Sequence, residues 1–176
     1  MTRHTGHRER LTISTMRTSD IPFAVSLTDR EGWGFFRKDF ETRLMLYPTG
    51  AFVARFNNEP AGIISSVQYG QYAFLGNLIV DHTYRGRGIG SRLMQHAIGY
   101  LCTRRVRTIE LDGVLAAVSM YRRLGFRDKH LSLRLSREPH DAIGVHINSS
   151  TPVASIPAFD RTATGLVRQR LLRAAL

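Results

Sequence analysis

The stretch that most constrains this chain runs Asn77-Leu78-Ile79-Val80-Asp81-His82-Thr83-Tyr84-Arg85-Gly86-Arg87-Gly88-Ile89-Gly90-Ser91. An apolar run with β-branched members ends at Asp81, a short polar bend follows, and a glycine-punctuated turn opens an amphipathic segment. Strand, glycine loop and helix in that order present backbone N–H groups to a phosphate. After the glycines, Ile89, Leu93, Ala97 and Leu101 recur every four residues, the stripe of a helix packed on a sheet. An anion held at that helix start would meet unpaired N–H groups and the favourable end of the helix dipole. An ordinary strand-to-helix turn uses glycine too, so the loop by itself leaves both readings open.

The rest of the chain supplies a sheet for that helix. Leu11 to Met16 alternates as a first strand. Asp20-Ile21-Pro22 reads as a helix start, with a capping carboxylate and a proline inside the first turn, and the helix is expected to reach about Thr28. Glu31-Gly32-Trp33-Gly34 breaks it, and a second helix carries Phe36, Phe40 and Leu44 on one face and stops before Pro48. Ala51 to Phe56 and Ala61 to Tyr69 are strands joined by the turn Asn57-Asn58-Glu59-Pro60, and Gly70-Gln71 makes a two-residue hairpin to a strand over Tyr72 to Val80. Thr108 to Asp112 is a further strand, Ala116 to Leu124 a short helix closed by Gly125, and Phe126 with Leu131, Leu133 and Leu135 one or two closing strands. The sum is an α/β (α+β mixed) domain, a mixed sheet with helices on both faces, over residues 11–137. It follows a polar tail at 1–10. Residues 138–157, with three prolines and no period, read as a linker, and 158–176 as a helical extension.

Composition removes several classes. No apolar run approaches the length of a membrane span, and the His- and Arg-rich start is followed by no signal-peptide core. A single cysteine, Cys102, excludes an internal disulfide framework and suits the cytoplasm. The net charge of +11 fits an anionic partner, or simply an arginine-rich composition, since only Lys38 and Lys129 are lysines. No zinc-finger spacing, aromatic RNA-binding pattern or isolated basic block accompanies it, so nucleic acid has no motif behind it. His4 and His7 have no partner at metal-ligand spacing, and no metal site is assigned.

Arg85-x-x-Gly88-x-Gly90, preceded by Leu78-Ile79-Val80-Asp81, resembles the acyl-CoA signature of the GNAT N-acyltransferase superfamily. Tyr121-Arg122-Arg123-Leu124-Gly125-Phe126 is similar to its second hallmark, a tyrosine four residues before Gly-Phe. The resemblance covers roughly residues 10–137 and implies the GNAT acyl-CoA N-acyltransferase fold, with a mostly antiparallel sheet. Glu31-Gly32-Trp33, Tyr69-Gly70, Phe74-Leu75-Gly76 and Leu111-Asp112 also resemble a bacterial subfamily with a second GNAT-like domain. The opening of that domain resembles Asp160-x-x-x-x-Gly165-x-x-Arg168-x-x-x-Leu172, so the expectation is a shortened member.

The resemblance implies acetyl-CoA as co-substrate, an amine acceptor attacking it directly in a ternary complex, a cytoplasmic setting and, among partners, a homodimer. Backbone groups of Ile79 and Val80 would pair with the pantetheine arm, the Val80 N–H facing the thioester oxygen. Arg85, Gly86, Arg87, Gly88, Ile89, Gly90 and Ser91 would receive the pyrophosphate. Tyr121 would donate a proton to the departing sulfur; a packed tyrosine with a satisfied hydroxyl is the alternative. The histone-acetylating branch places a glutamate where this chain has Phe74, which favours a small-molecule acceptor over a protein. Glu31, Glu110, Asp112 and His82 are then the candidate bases. Glu31 equally fits a solvated loop carboxylate, and Asp112 a helix cap. Glu31, Trp33, Tyr69 and Asp112 are the expected acceptor contacts, with Phe35 and Phe36 nearby, although aromatics at such spacing also build cores. The Gly113-Val114 pair departs from the subfamily's Ala-Thr, and Val114 also replaces the superfamily's common asparagine. Two rivals stand beside this reading: a CoA- or metabolite-binding module with little catalysis, and a basic nucleic-acid-associated protein.

Overall fold

The computed structural model describes residues 9–132 and 152–175. They fall into two compact units, 1–111 and 112–176.

The first unit is built on a five-stranded sheet in the order β1-β2-β3-β4-β5: Leu11–Thr15, Ala51–Phe56, Glu59–Tyr69, Tyr72–Val80 and Thr108–Leu111. The first three pairings are antiparallel and the β4–β5 pairing is parallel. Two tight turns set the register. Asn57 and Asn58 both take positive φ, 50° and 73°, between the paired residues Phe56 and Glu59, the geometry that suits the right-handed twist of a two-residue hairpin. The turn is therefore shorter than the four residues expected, and β3 begins at Glu59. Gly70-Gln71 links the paired Tyr69 and Tyr72 as expected.

Helices α1 (Ile21–Arg30) and α2 (Arg37–Leu46) cover one face, where Met16, Ile21, Ala24, Leu27, Phe40, Ala51, Val53, Ile63 and Ile79 form a buried cluster. Helix α3 (Ile89–Thr103) covers the other, burying Ile89, Leu93, Met94, Ala97 and Leu101, the predicted stripe with one addition. Phe52 packs edge-on against His96 and Tyr100 of α3, with ring centroids 4.6 and 5.3 Å apart.

Two local expectations are corrected. Asp20 does not cap α1: its carboxylate accepts from the Arg17 N–H at 2.8 Å and pairs with Arg55 of β2. Phe36 is not on the buried face of α2; it precedes the helix and is 73% exposed. There Asp39 turns back to accept the Phe36 N–H at 2.7 Å.

The second unit holds α4 (Val118–Arg123), preceded by a 3₁₀ turn at Leu115–Ala117, and the pair α5 (Ile156–Thr164) and α6 (Gln169–Ala175). Residues 126–132 contain no strand, and Leu131 is 82% exposed. Leu133 and Leu135 of the expected closing strands lie outside the described residues, as does most of the expected linker. Its last residues are helical, because α5 begins at Ile156. The Asp160…Gly165…Arg168 spacing now has a physical reason: Gly165 ends α5 and Asp160 is ion-paired with Arg168 across the turn.

Candidate active site

Strand β4 has two unlike halves. From Tyr72 to Leu75 it is paired on both sides, with β3 and with Thr108–Leu111 of β5. The β5 register ends at Leu75↔Leu111, whereas the β3 register continues to Val80. Among the described residues no strand pairs with Gly76 to Val80 on the side away from β3, so that edge is bare there. Backbone direction alternates along a strand, and two bonds fix its phase here. The Asp81 N–H donates to the Ala61 carbonyl on the β3 side at 2.9 Å. The Val80 carbonyl faces away and accepts from Arg85 Nε at 3.0 Å. Val80, and Leu78 two residues earlier, thus turn their N–H groups to the bare edge, while Ile79 pairs with Ile63 and keeps its side chain in the core. Of the two residues expected to offer backbone groups there, Val80 does so and Ile79 does not, because adjacent residues face opposite ways.

The edge runs directly into the glycine loop. Asp81 accepts from the Thr83 N–H at 3.0 Å and its hydroxyl at 2.8 Å, closing a tight turn after the strand. These bonds, the Thr83 N–H first, together with Arg30 at 2.6 Å, hold the Asp81 carboxyl below its usual range. Gly86 and Gly88 follow with φ of 79° and 74°. A Cβ at either would meet nothing within 4 Å, so backbone angle rather than crowding requires glycine there. Gly88 precedes α3, whose first helical bond runs from the Arg92 N–H to the Gly88 carbonyl at 3.1 Å. The N–H groups of Ile89, Gly90 and Ser91 precede that bond and have no acceptor within the helix.

The arginines of the loop differ in use. Arg85 is ion-paired with Glu31 as well as bonded to Val80, so its guanidinium braces the loop against the end of α1. Arg87 lies over the Phe56 ring at 4.9 Å and reaches Glu9 at 3.0 Å, leaving it 44% exposed. The crossed pairs Arg30–Asp81 and Glu31–Arg85 were not legible in the sequence. The Asp-x-Thr turn signal at Asp81 was.

The remaining predicted residues belong to both units. Trp33 packs against the α1–α2 core cluster. Tyr69 stacks on Tyr72 with centroids 6.3 Å apart, and the Tyr72 hydroxyl donates to Glu110 at 3.1 Å. His82 lies 3.4 Å from Asp81. In the second unit, Asp112 caps nothing: the 3₁₀ turn is preceded by Val114 and has no side-chain cap. Tyr121 is 9% exposed on α4. Gly125 turns the chain so that the Phe126 N–H reaches the Tyr121 carbonyl at 3.1 Å, and the two rings meet edge-on at 6.3 Å. Burial lifts the Tyr121 phenol above its ordinary pKa, which keeps it protonated through the neutral range. Among the described residues, no group of three or more His, Cys, Asp or Glu side chains is placed to hold a metal.

The described residues thus present an open strand edge that leads to left-handed glycines and a helix start. The chain belongs to the GNAT acetyltransferase family, whose model matches residues 21–126. It is 37% identical over 92 residues to an uncharacterized N-acetyltransferase of Methanocaldococcus jannaschii, covering 47% of this chain and 41% of that one. It is 28% identical to the holothin acyltransferase of Pseudoalteromonas, covering 81% of this chain and 49% of that protein. It is 32% identical to the [ribosomal protein bS18]-alanine N-acetyltransferase of Salmonella typhimurium, covering 66% of this chain and 81% of that one. The fold matches a Pyrococcus horikoshii crystal structure described as an acetyltransferase, with a TM-score of 0.71 at 23% identity, over 97% of this chain and 65% of that one. The chain thus spans less than half of the first two relatives. Its fold is mixed α/β, with a mostly antiparallel sheet.

Proposed function

We propose that the chain transfers an acetyl group from acetyl-CoA to a small-molecule amine, by direct attack in a ternary complex. The observation that carries the proposal is the bare edge of β4 from Gly76 to Val80, continuous with the Gly86–Ser91 cradle. A pantetheine arm is an extended chain with amide groups, which fits an unpaired edge, and a pyrophosphate fits a glycine loop on a helix start. Acetyl-CoA supplies the activated acyl group.

In this reading the N–H groups of Gly86, Arg87, Gly88, Ile89, Gly90 and Ser91 take the phosphates, Arg87 adds charge, and Arg85 holds the loop in place. The Val80 N–H, with that of Leu78 on the same side, meets the charge that develops on the thioester oxygen. Tyr121 gives its proton to the departing sulfur. Glu31, Trp33, Tyr69 and Asp112 are assigned to the acceptor, and Glu31 serves it in competition with its ion pair to Arg85. The acceptors named for two relatives differ, a ribosomal-protein alanine and holothin, so the shared fold does not select the acceptor. Phe74, where the histone-acetylating branch carries its glutamate, favours a small amine. A cytoplasmic setting suits this reading.

One observation favours a second reading. With Phe74 on the strand and Glu31 ion-paired to Arg85, neither position offers a free carboxylate as base, which suits a module that binds CoA without turnover. Thiol release from acetyl-CoA, measured with an amine panel that includes an alanine-terminated peptide, separates the two. Acceptor-dependent release supports the transferase. Tight CoA binding with no release supports the binding module.

A further inference from the structure

We propose that Arg43 selects the acceptor, by receiving a carboxylate that the acceptor amine carries at its far end. The proposal rests on the transferase reading above and names the class of amine it uses.

The two faces of β4 near its hairpin are covered unequally. Ala73 and Leu75 are buried, whereas Tyr72 and Phe74, which point the other way, stay half-exposed. Their partners across the sheet share that face: Tyr69 with Tyr72, and Val67 of β3 and Glu110 of β5 with Phe74. All three are half-exposed as well. Ile63, on the same side of β3, belongs to the cluster beneath α1 and α2. The helices therefore cover this face fully at Ile63 and only in part from Val67 to the hairpin.

Arg43 of α2 reaches this open part, where the groups that act on it are Tyr69, Asp39 and Tyr47. Burial lowers its guanidinium below the usual range. Its Nε is buried with no hydrogen-bond partner. Asp39 is committed to the Phe36 N–H at 2.7 Å, and among the described residues no ion pair includes Arg43. Arg55, half-buried in the same sheet, has Asp20 as its counter-ion; Arg43 lacks an equivalent. Nε alone of its nitrogens is buried and unpartnered, so the two terminal nitrogens are the groups a ligand would meet.

A guanidinium taken out of water without a counter-ion is costly. A carboxylate offsets that cost with two parallel N–H···O bonds, for which the planar fork is shaped. A monoanion fits better than a phosphate dianion, because Asp39 and Glu110 already place negative charge at this face. The strand also sets the length of the acceptor. Phe74 precedes Leu78, whose N–H is at the bare edge, by a stretch on the order of 10 Å. Amine and carboxylate are therefore separated by a spacer rather than carried on one carbon.

Matched acceptors test the assignment: 6-aminohexanoate against 6-aminohexanamide, and triglycine against triglycinamide, with thiol release from acetyl-CoA as the readout. Each acid should exceed its amide in kcat/KM by about tenfold or more, mainly through KM. Arg43→Met should bring each pair within about twofold, and Arg43→Lys, which keeps the charge without the fork, should retain part of the preference. Arg43→Met should also unfold at no lower denaturant concentration than the natural sequence, since an apolar chain replaces a guanidinium with no counter-ion. Equal use of acids and amides by the natural sequence would overturn the proposal, as would a preference that survives Arg43→Met. Better use of 6-aminohexylphosphonate than of 6-aminohexanoate would overturn the choice of a carboxylate. A second measurement needs neither turnover nor a variant that folds. In the isotopically labelled natural protein with CoA present, the Arg43 Nε–H resonance should shift with the two acids and not with the two amides. Absence of thiol release with every amine would remove the transferase reading, and that resonance would still decide the role of Arg43: no shift with either acid would overturn it.

Discussion

The first and last residues of β4 lie in one continuous strand of similar apolar character, yet they do different work. Tyr72 to Leu75 is locked between two neighbours; its backbone is fully used and its contribution is to hold the sheet together. Gly76 to Val80 keeps one neighbour and lies beyond the end of β5. Its spare N–H groups, those of Leu78 and Val80, are where a ligand can be recognised without any special side chain. The difference between the halves is the reach of β5, which ends at Leu111, and the phase of the alternation.

That contrast can be tested with changes of decreasing size. Tyr121→Phe asks whether the chain carries out chemistry or only binds CoA. It should lower thiol release by about a hundredfold while the CoA dissociation constant, read by calorimetry, stays unchanged. Equal loss of both would give Tyr121 a packing role. Because burial raises the Tyr121 pKa, its acid form persists as pH rises. Turnover in the natural sequence should therefore not fall through loss of that proton until above about pH 10, the range of a free phenol.

Gly88→Val comes next. A β-branched residue at φ of 74° is strained by about 1–2 kcal/mol, so CoA affinity should fall roughly tenfold or more. Denaturant unfolding of the first unit should register the same strain, a loss of about 1–2 kcal/mol.

Asp81→Ala removes the cap that joins edge to cradle and should cost about 1 kcal/mol in denaturant unfolding. The sign of its pH dependence follows from the lowered carboxyl pKa. The stabilisation is present above the unfolded carboxylate value, about pH 4, and disappears as pH falls through the folded value. The two proteins should converge in stability at acid pH.

Glu31→Gln is the smallest change. It frees Arg85 from a partly exposed ion pair, a kind of pair worth at most about 1 kcal/mol, and should tighten CoA binding by about threefold. An unchanged affinity would mean that Arg85 never turns to the phosphates.

The sequence made much of this legible where local chemistry decides the outcome. Gly70-Gln71 announced its hairpin, the Ile89–Leu101 spacing its helix, and Tyr121 with Gly125-Phe126 its turn. It was silent where distant residues decide. Nothing near Asp20 says that its carboxylate will pair with Arg55 rather than cap α1, and nothing near Glu31 points to Arg85. A bulge in β4 was hidden for a different reason: Gly76-Asn77 inside an apolar run reads as continuous strand, and only the β3 register, with Ser65 opposite Gly76 and Ile63 opposite Ile79, reveals the extra residue. The edge itself is the end of another strand, a fact about Leu111 that no motif in β4 contains.

The most direct measurement of the central claim is a titration of the isotopically labelled protein with CoA, following backbone amides by nuclear magnetic resonance. The account predicts that Leu78, Val80 and Gly86 to Ser91 shift together in a saturable way while Ala73 and Leu75, in the doubly paired half of the same strand, do not. Shifts confined to the arginine-rich surface and abolished by moderate salt, or none at all in β4, would contradict it.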